Sequence, residues 1–140
     1  MISTNDWFTW ALLSAFFAAM TAIFAKIGLE GIYSDYATLV RTFVIIWVLA
    51  VFIAFTNKWR NPFGLSPRTI TFLVLSGLAT GASWVCYFRA LKVGEASKVA
   101  PVDKLSLVLV AIFAVVFLRE RPNLREWFGI AMVGLGVIVL

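Results

Sequence analysis

The sequence predicts an all-α integral membrane protein folded as one bundle of five transmembrane helices. Three observations predict it. Of 140 residues, 62% are hydrophobic and 14% charged, whereas soluble globular chains average about 45–50% and about 25%. Mean hydropathy is +0.96. Nearly charge-free runs of about 20 residues, each long enough to cross a hydrocarbon core, alternate with short polar turns.

The elements follow in order. Residues 1–6 are polar without a basic residue; a signal peptide needs a positive n-region, so the next run reads as a retained span. The first helix is expected over about 7–27, ending at Lys26 and Gly28. Its rows of small residues, Ala11/Ala15/Ala19 and Ser14/Ala18/Ala22, predict an interior helix, because close backbone approach drives helix association in lipid. The second helix, about 37–56, carries Arg41 and Trp47. A turn-rich loop with Lys58 and Arg60 leads to the third, about 69–91, with Gly77-x-x-x-Gly81. The short turn 92–97 makes the third and fourth helices antiparallel neighbours. The fourth is expected over about 98–118 and the fifth over about 124–140, with Gly129, Gly134 and Gly136, so that the chain stops at the membrane edge. Trp7, Trp10, Trp59 and Trp127 fall at helix ends, as an interfacial belt requires; Trp47 and Trp84 fall inside helices, as core or cavity residues.

The composition also excludes. Basic residues give a net charge of +5 but flank apolar runs instead of forming a solvated stripe, which speaks against nucleic-acid binding. There is no His, and no phosphate-binding, zinc-protease or dinucleotide motif, so neither an enzyme, a cofactor nor a metal site is expected. The lone Cys86 reads as a small buried hydrophobe. Six basic residues fall on each side of the membrane: Lys58, Arg60, Arg68, Arg119, Arg121 and Arg125 against Lys26, Arg41, Arg89, Lys92, Lys98 and Lys104. A chain this balanced is open to insertion in both orientations.

Polar residues inside spans are candidates for function because their burial is costly. Asp103 lies about six residues into the fourth helix; its counter-charge is expected from Arg41, Lys26 or a second subunit. Lys104 points about 100° away, too far round to pair easily, and either snorkels or faces a cavity. Arg41, one to two turns into the second helix, either returns to the headgroups or serves as a cavity cation. Pro101 either frees the Ser97 carbonyl and kinks the helix, or sits harmlessly in its first turn. Thr80, Ser83, Trp84 and Tyr87 share one face of the third helix, offering hydroxyls and aromatic surface to a solute or to the core. Glu120 with Arg119 and Arg121 reads as an interfacial cluster fixing helix depth.

The run from Tyr87-x-x-Ala90-Leu91 through Ala100-Pro101 to Glu120-Arg121 and the glycine-bearing last helix resembles the EamA domain of the drug/metabolite transporter superfamily. The resemblance covers essentially residues 1–140 as one domain. It implies a secondary transporter of small organic metabolites or drugs, an exporter by preference, in a bacterial or archaeal cell membrane. Most such transporters are similar to two oppositely oriented domains around a central cavity. A single domain would therefore work by alternating access as an antiparallel homodimer, or as a heterodimer with a related half. A non-transporting accessory subunit and a lipid-carrier flippase are the alternatives. The helices are also similar to those of small multidrug resistance proteins, but Ala18 stands where their first helix carries its glutamate. That departure argues against proton-coupled export of cationic drugs.

Overall fold

The computed structural model describes residues 4–140. These form six α-helices and no strand: α1 (Thr4–Gly28), α2 (Ser34–Phe55), α3 (Pro67–Val93), α4 (Ala96–Asp103), α5 (Ser106–Phe117) and α6 (Leu124–Val139), with a 3-10 turn at Pro62–Gly64. Four stretches are long and apolar enough to cross a membrane: Trp7–Gly28, Ser34–Phe55, Pro67–Val93 and Ala96–Phe117. The last comprises α4 and α5 together. The expected fifth span is α6, whose 16 residues extend only about 24 Å at 1.5 Å per residue, short of a hydrocarbon core of about 30 Å.

The fourth predicted helix is not continuous. It starts at Ala96 after the N-cap Glu95 and breaks at Lys104 and Leu105. Pro101 therefore lies inside α4, where its missing N–H leaves the Ser97 carbonyl without its helical donor. At the break the N–H groups of Lys104, Leu105, Leu107 and Val108 donate three residues back, to Pro101, Val102, Lys104 and Leu105. The α-pattern resumes with Leu109 to Leu105. Such a short 3-10 passage inside a span marks strain or a hinge.

The other helix ends have local causes. Ser66 precedes α3, accepting from the Thr69 N–H at 3.2 Å, and Pro67 occupies the first helical position, where a missing N–H costs nothing. At the end of α2, Asn57 is left-handed at φ 53°. Its N–H returns to Ala54 and that of Lys58 to Ile53, the two bonds of a Schellman motif. Arg119 plays the same left-handed part after α5, at φ 56°, and Glu120 N–H returns to Ala114. Helix α6 opens on a capping box: Glu126 N–H to Asn123 Oδ1 at 3.0 Å and Asn123 N–H to Glu126 Oε2 at 2.7 Å.

The chain divides into two compact units. In residues 24–93, α2 packs on α3, and the buried side chains Leu29, Phe88 and Leu91 gather near one end of that pair. In the other unit, residues 1–23 with 94–140, α5 packs on α6 around Ala111. Val108 Cγ2 there stands 3.3 Å from where a Cβ on Gly134 would be. Little else among the described side chains is buried, because apolar surface in lipid has no reason to turn inward. The expectation of an interior first helix is corrected accordingly: Ala11, Ser14, Ala15, Ala18 and Ala19 are exposed and only Ala22 is buried. Cys86 and Trp47 are likewise exposed instead of core.

Candidate functional site

The 24–93 unit places most of its polar groups on the two facing helices α2 and α3. At one end, two lysines tie the helix ends reciprocally. Lys26, in the last turn of α1, donates from Nζ to the Leu91 carbonyl at 2.5 Å. Lys92, in the last turn of α3, donates to the carbonyls of Leu29, at 2.6 Å, and Ile32. Each ammonium thus meets carbonyls that a helix end or turn leaves over, where the dipole favours a cation. Gly31, with φ at 75°, makes the turn that brings Ile32 round to Lys92.

One turn further, Arg89 grips Asp35 through both nitrogens, Nε to Oδ1 at 3.0 Å and Nη2 to Oδ2 at 2.7 Å. This bidentate pair fixes α2 against α3 in register. It was not singled out from the sequence, because no spacing rule links residues 54 positions apart.

Beyond the pair, Arg41 lies over two rings of α3, 4.5 Å from the centroid of Trp84 and 5.1 Å from that of Phe88. Counted from the helix ends joined by the Asp35–Arg89 pair, Arg41 is about 10 Å into α2, Phe88 about 8 Å and Trp84 about 14 Å into α3. The guanidinium therefore stays at its own level along the helix pair. A cation at mid-span costs about 2.5–3.5 kcal/mol by insertion scales, and a desolvated cation–π contact offsets about 2 kcal/mol of it. Among the described residues, no carboxylate pairs with this guanidinium.

Alongside runs a groove of about 660 Å3 between the two helices. Asp35, Thr38, Leu39 and Thr42 line it from α2, and Leu73, Ser76, Gly77, Thr80, Gly81, Trp84 and Val85 from α3. Its threonine hydroxyls are internally satisfied: Thr38 donates to Ser34 O at 2.9 Å, Thr42 to Thr38 O at 2.7 Å and Thr80 to Ser76 O at 2.8 Å. They soften the groove without leaving unpaired protons in an apolar span. Gly77 and Gly81 do not mediate close packing within the chain. A Cβ at either meets nothing within 4 Å, and their bare backbone hollows the groove's floor.

The structure thus brings together Thr80, Trp84 and Arg41 from the predicted set. Ser83 is exposed and Tyr87 packs edge-on against Phe88, with centroids 6.1 Å apart; neither lines the groove. The polar face of α3 is centred on the Gly77–Gly81–Trp84 row, rotated from the expected Thr80–Tyr87 stripe. The glycine spacing carried that signal, but it was read as a packing motif.

The remaining candidates belong to the other unit. Asp103 closes α4 at the break, and Lys104 follows as its C-cap with Nζ 3.8 Å from Asp103 Oδ2. The expectation that the two would not easily pair rested on a separation of about 100° round a regular helix; Asp103 instead ends α4 with Lys104 as its cap, and their charged ends lie within ion-pair distance. Arg41 and Lys26 have their own partners, described above. Pro101 stands two residues before Asp103, and the freed Ser97 carbonyl belongs to the same turn of α4. A second pocket, about 700 Å3, lies between α5 and α6 and is lined mainly by Trp7, Val110, Ala114, Ile130 and Val133, with Glu120, Arg121 and Glu126 among its lining. It is the larger of the two, yet its character is aliphatic and Glu126 is committed to the α6 cap. Polar groups within a span converge on the α2–α3 groove instead. No group of His, Cys, Asp or Glu among the described residues could hold a metal.

Comparison with known proteins places the chain. Residues 6–140 match the EamA-like transporter family. A Sinorhizobium protein, an uncharacterized transporter in the cobO 3′ region, is 56% identical over 98% of this chain and 97% of its own length. An uncharacterized transporter of Vibrio cholerae is 23% identical over 98% of this chain but 43% of its own length. A Hamiltonella defensa protein, a probable 4-amino-4-deoxy-L-arabinose-phosphoundecaprenol flippase subunit ArnE, is 24% identical over 61% of this chain and 75% of its own length. No solved structure matches. With four apolar spans and a family match over nearly its whole length, the chain belongs to the EamA-like transporter family and is a multi-pass membrane protein.

Proposed function

We propose that this chain carries small organic solutes across a cell membrane, outward by preference, as one half of a two-chain carrier that alternates access. The observation that carries the reading is the α2–α3 groove. It is a hollow of about 660 Å3, within the usual 300–1,000 Å3 of a small-molecule site, floored by glycine backbone and lined by hydroxyls and by Trp84, whose ring holds a cation. In this reading the solute occupies that groove, no cofactor takes part, and no chemistry is performed on the solute. The broken span α4–α5 supplies the moving part, since interrupted helices with freed carbonyls are where transporters rock and bind. Asp103 and Lys104 sit at that hinge.

Two further features support a second chain. The exposed alanine rows of α1 offer a close-packing face, and the balanced basic residues suit an antiparallel copy. The Hamiltonella relative's printed role as a flippase subunit favours one specific variant, a heterodimer with a related half that handles a lipid-linked solute.

The test is reconstitution into vesicles loaded with a whole-cell metabolite extract, read by mass spectrometry. The expected result is selective loss of a few solutes relative to protein-free vesicles. Retention of every solute, with and without a pH gradient, contradicts a homodimeric carrier. Paired reporters after Leu140, active only inside or only outside the cell, decide the pairing. Signal from both accords with an antiparallel homodimer, and signal from one side requires a different partner.

A further inference from the structure

The Arg41 guanidinium lies within a span over the rings of Trp84 and Phe88. A cation–π contact draws on the ring faces and does not by itself consume the ion's N–H edge, a fork of donors that fits a carboxylate bidentately. Among the described residues no carboxylate takes that edge. Of the charges near this end of the helix pair, Asp35 is held by Arg89, and Lys26 and Lys92 by backbone carbonyls. Asp35 and Arg89 cancel, so Asp35 does not offset the positive charge of Arg41 beside the groove. The threonine hydroxyls give their protons to the backbone, and a charged donor beside the lining is Arg41, over Trp84. Trp84 joins the two features, lining the groove while lying under the guanidinium.

We infer that this site selects organic anions, its ligand a small carboxylate whose acid group meets the Arg41 edge while its apolar body lies along Trp84 and the Gly77–Gly81 floor. The inference rests on the proposed solute-carrying role of the groove and names its substrate class. It excludes organic cations, since the one carboxylate lining the groove among the described residues, Asp35, is held by two bonds from Arg89.

The experiment is equilibrium binding of radiolabelled benzoate and hexanoate to the full-length chain purified in detergent. The expected result is saturable binding of at least one acid, with benzamide and benzylamine failing to compete. Arg41→Gln should weaken binding by about tenfold or more, the loss expected for a charge-assisted bidentate contact, and Arg41→Lys should retain part of it. Circular dichroism and gel filtration check that the variants fold. Trp84→Leu keeps the cation and removes its platform, and should weaken benzoate more than hexanoate. Equal binding by wild type and Arg41→Gln, equal competition by benzamide, or no saturable binding of either acid overturns the inference. So does an Arg41→Gln variant that loses its dimer, which would assign the guanidinium to a carboxylate of a second chain. Vesicle transport separates the two claims. Arg41-dependent binding without movement removes the carrier reading and leaves the anion site. Movement of neutral or cationic solutes that ignores Arg41 does the reverse.

Discussion

Spans α3 and α4–α5 are both apolar and both interrupted by polar residues, yet one runs straight and the other breaks. Helix α3 continues for 27 residues through Ser76, Gly77, Thr80, Gly81 and Ser83. Its charges lie at its two ends: Arg68 in the first turn, and Arg89 and Lys92 near the last, where Asp35 and two carbonyls receive them. The α4–α5 span carries Pro101, Asp103 and Lys104 in four consecutive positions, and its hydrogen bonding shifts register directly after them. The difference teaches that small and hydroxyl residues inside a span hollow a helix face without disturbing its axis. A proline followed by two charges stands where the axis itself gives way. In the proposed mechanism the first region holds the solute and the second moves.

The comparison can be broken most sharply at the groove. Gly81→Leu adds bulk where nothing stands within 4 Å, so the fold should survive. Solute movement in the vesicle assay should fall about tenfold or more, equivalent to roughly 1.4 kcal/mol of lost transition-state stabilisation. Gly136→Leu in α6, also facing open space, should leave movement unchanged.

At the moving region, Pro101→Ala restores the N–H that Ser97 lacks. Interior proline costs a helix about 3 kcal/mol, part of which the break already relieves, so thermal unfolding in detergent should show a gain of about 1 kcal/mol or more. Movement of solute should slow at the same time, as a stiffened hinge requires. A gain in stability with unchanged transport would detach the break from function.

Smaller effects separate the two helix pairs. Asn123→Ala removes one side of the α6 capping box and should cost about 1 kcal/mol in the same unfolding measurement. Gly77→Ala should gain about 0.5–1 kcal/mol from helix propensity alone. Gly134→Ala should gain less, because its new methyl meets Val108 Cγ2 at 3.3 Å.

Much of this fold was legible because lipid reduces the choice to helices, and length and hydropathy then mark them. The five expected runs correspond to α1, α2, α3, α4–α5 and α6, with the start of α3 moved to Pro67 by the Ser66 cap. The break at Lys104 was not legible: Pro101 read equally well as a first-turn proline until Ala96 proved to open the helix. Of the site, Arg41, Thr80 and Trp84 were visible as polar or aromatic residues at mid-span. Their conjunction was not, since periodicity orders residues along one helix and says nothing of which face of α2 meets which face of α3. The same limit hid Asp35–Arg89 and the two lysine ties, all of them contacts between distant positions. Tyr87 and Ser83 were placed in the site by a stripe that the packing rotated away.

The central claim is that the α2–α3 groove is a wet, solute-accessible hollow and not a seat for lipid or protein. The direct measurement is the reactivity of Gly81→Cys, in a Cys86→Ala background, toward a membrane-impermeant thiosulfonate, with Phe52→Cys on the exposed flank of α2 as reference. The account predicts rapid modification at position 81, slowed by a bound solute, and little at position 52. Equal protection of both positions would mean that hydrocarbon or a packed helix fills the groove, and the site proposed here would be wrong.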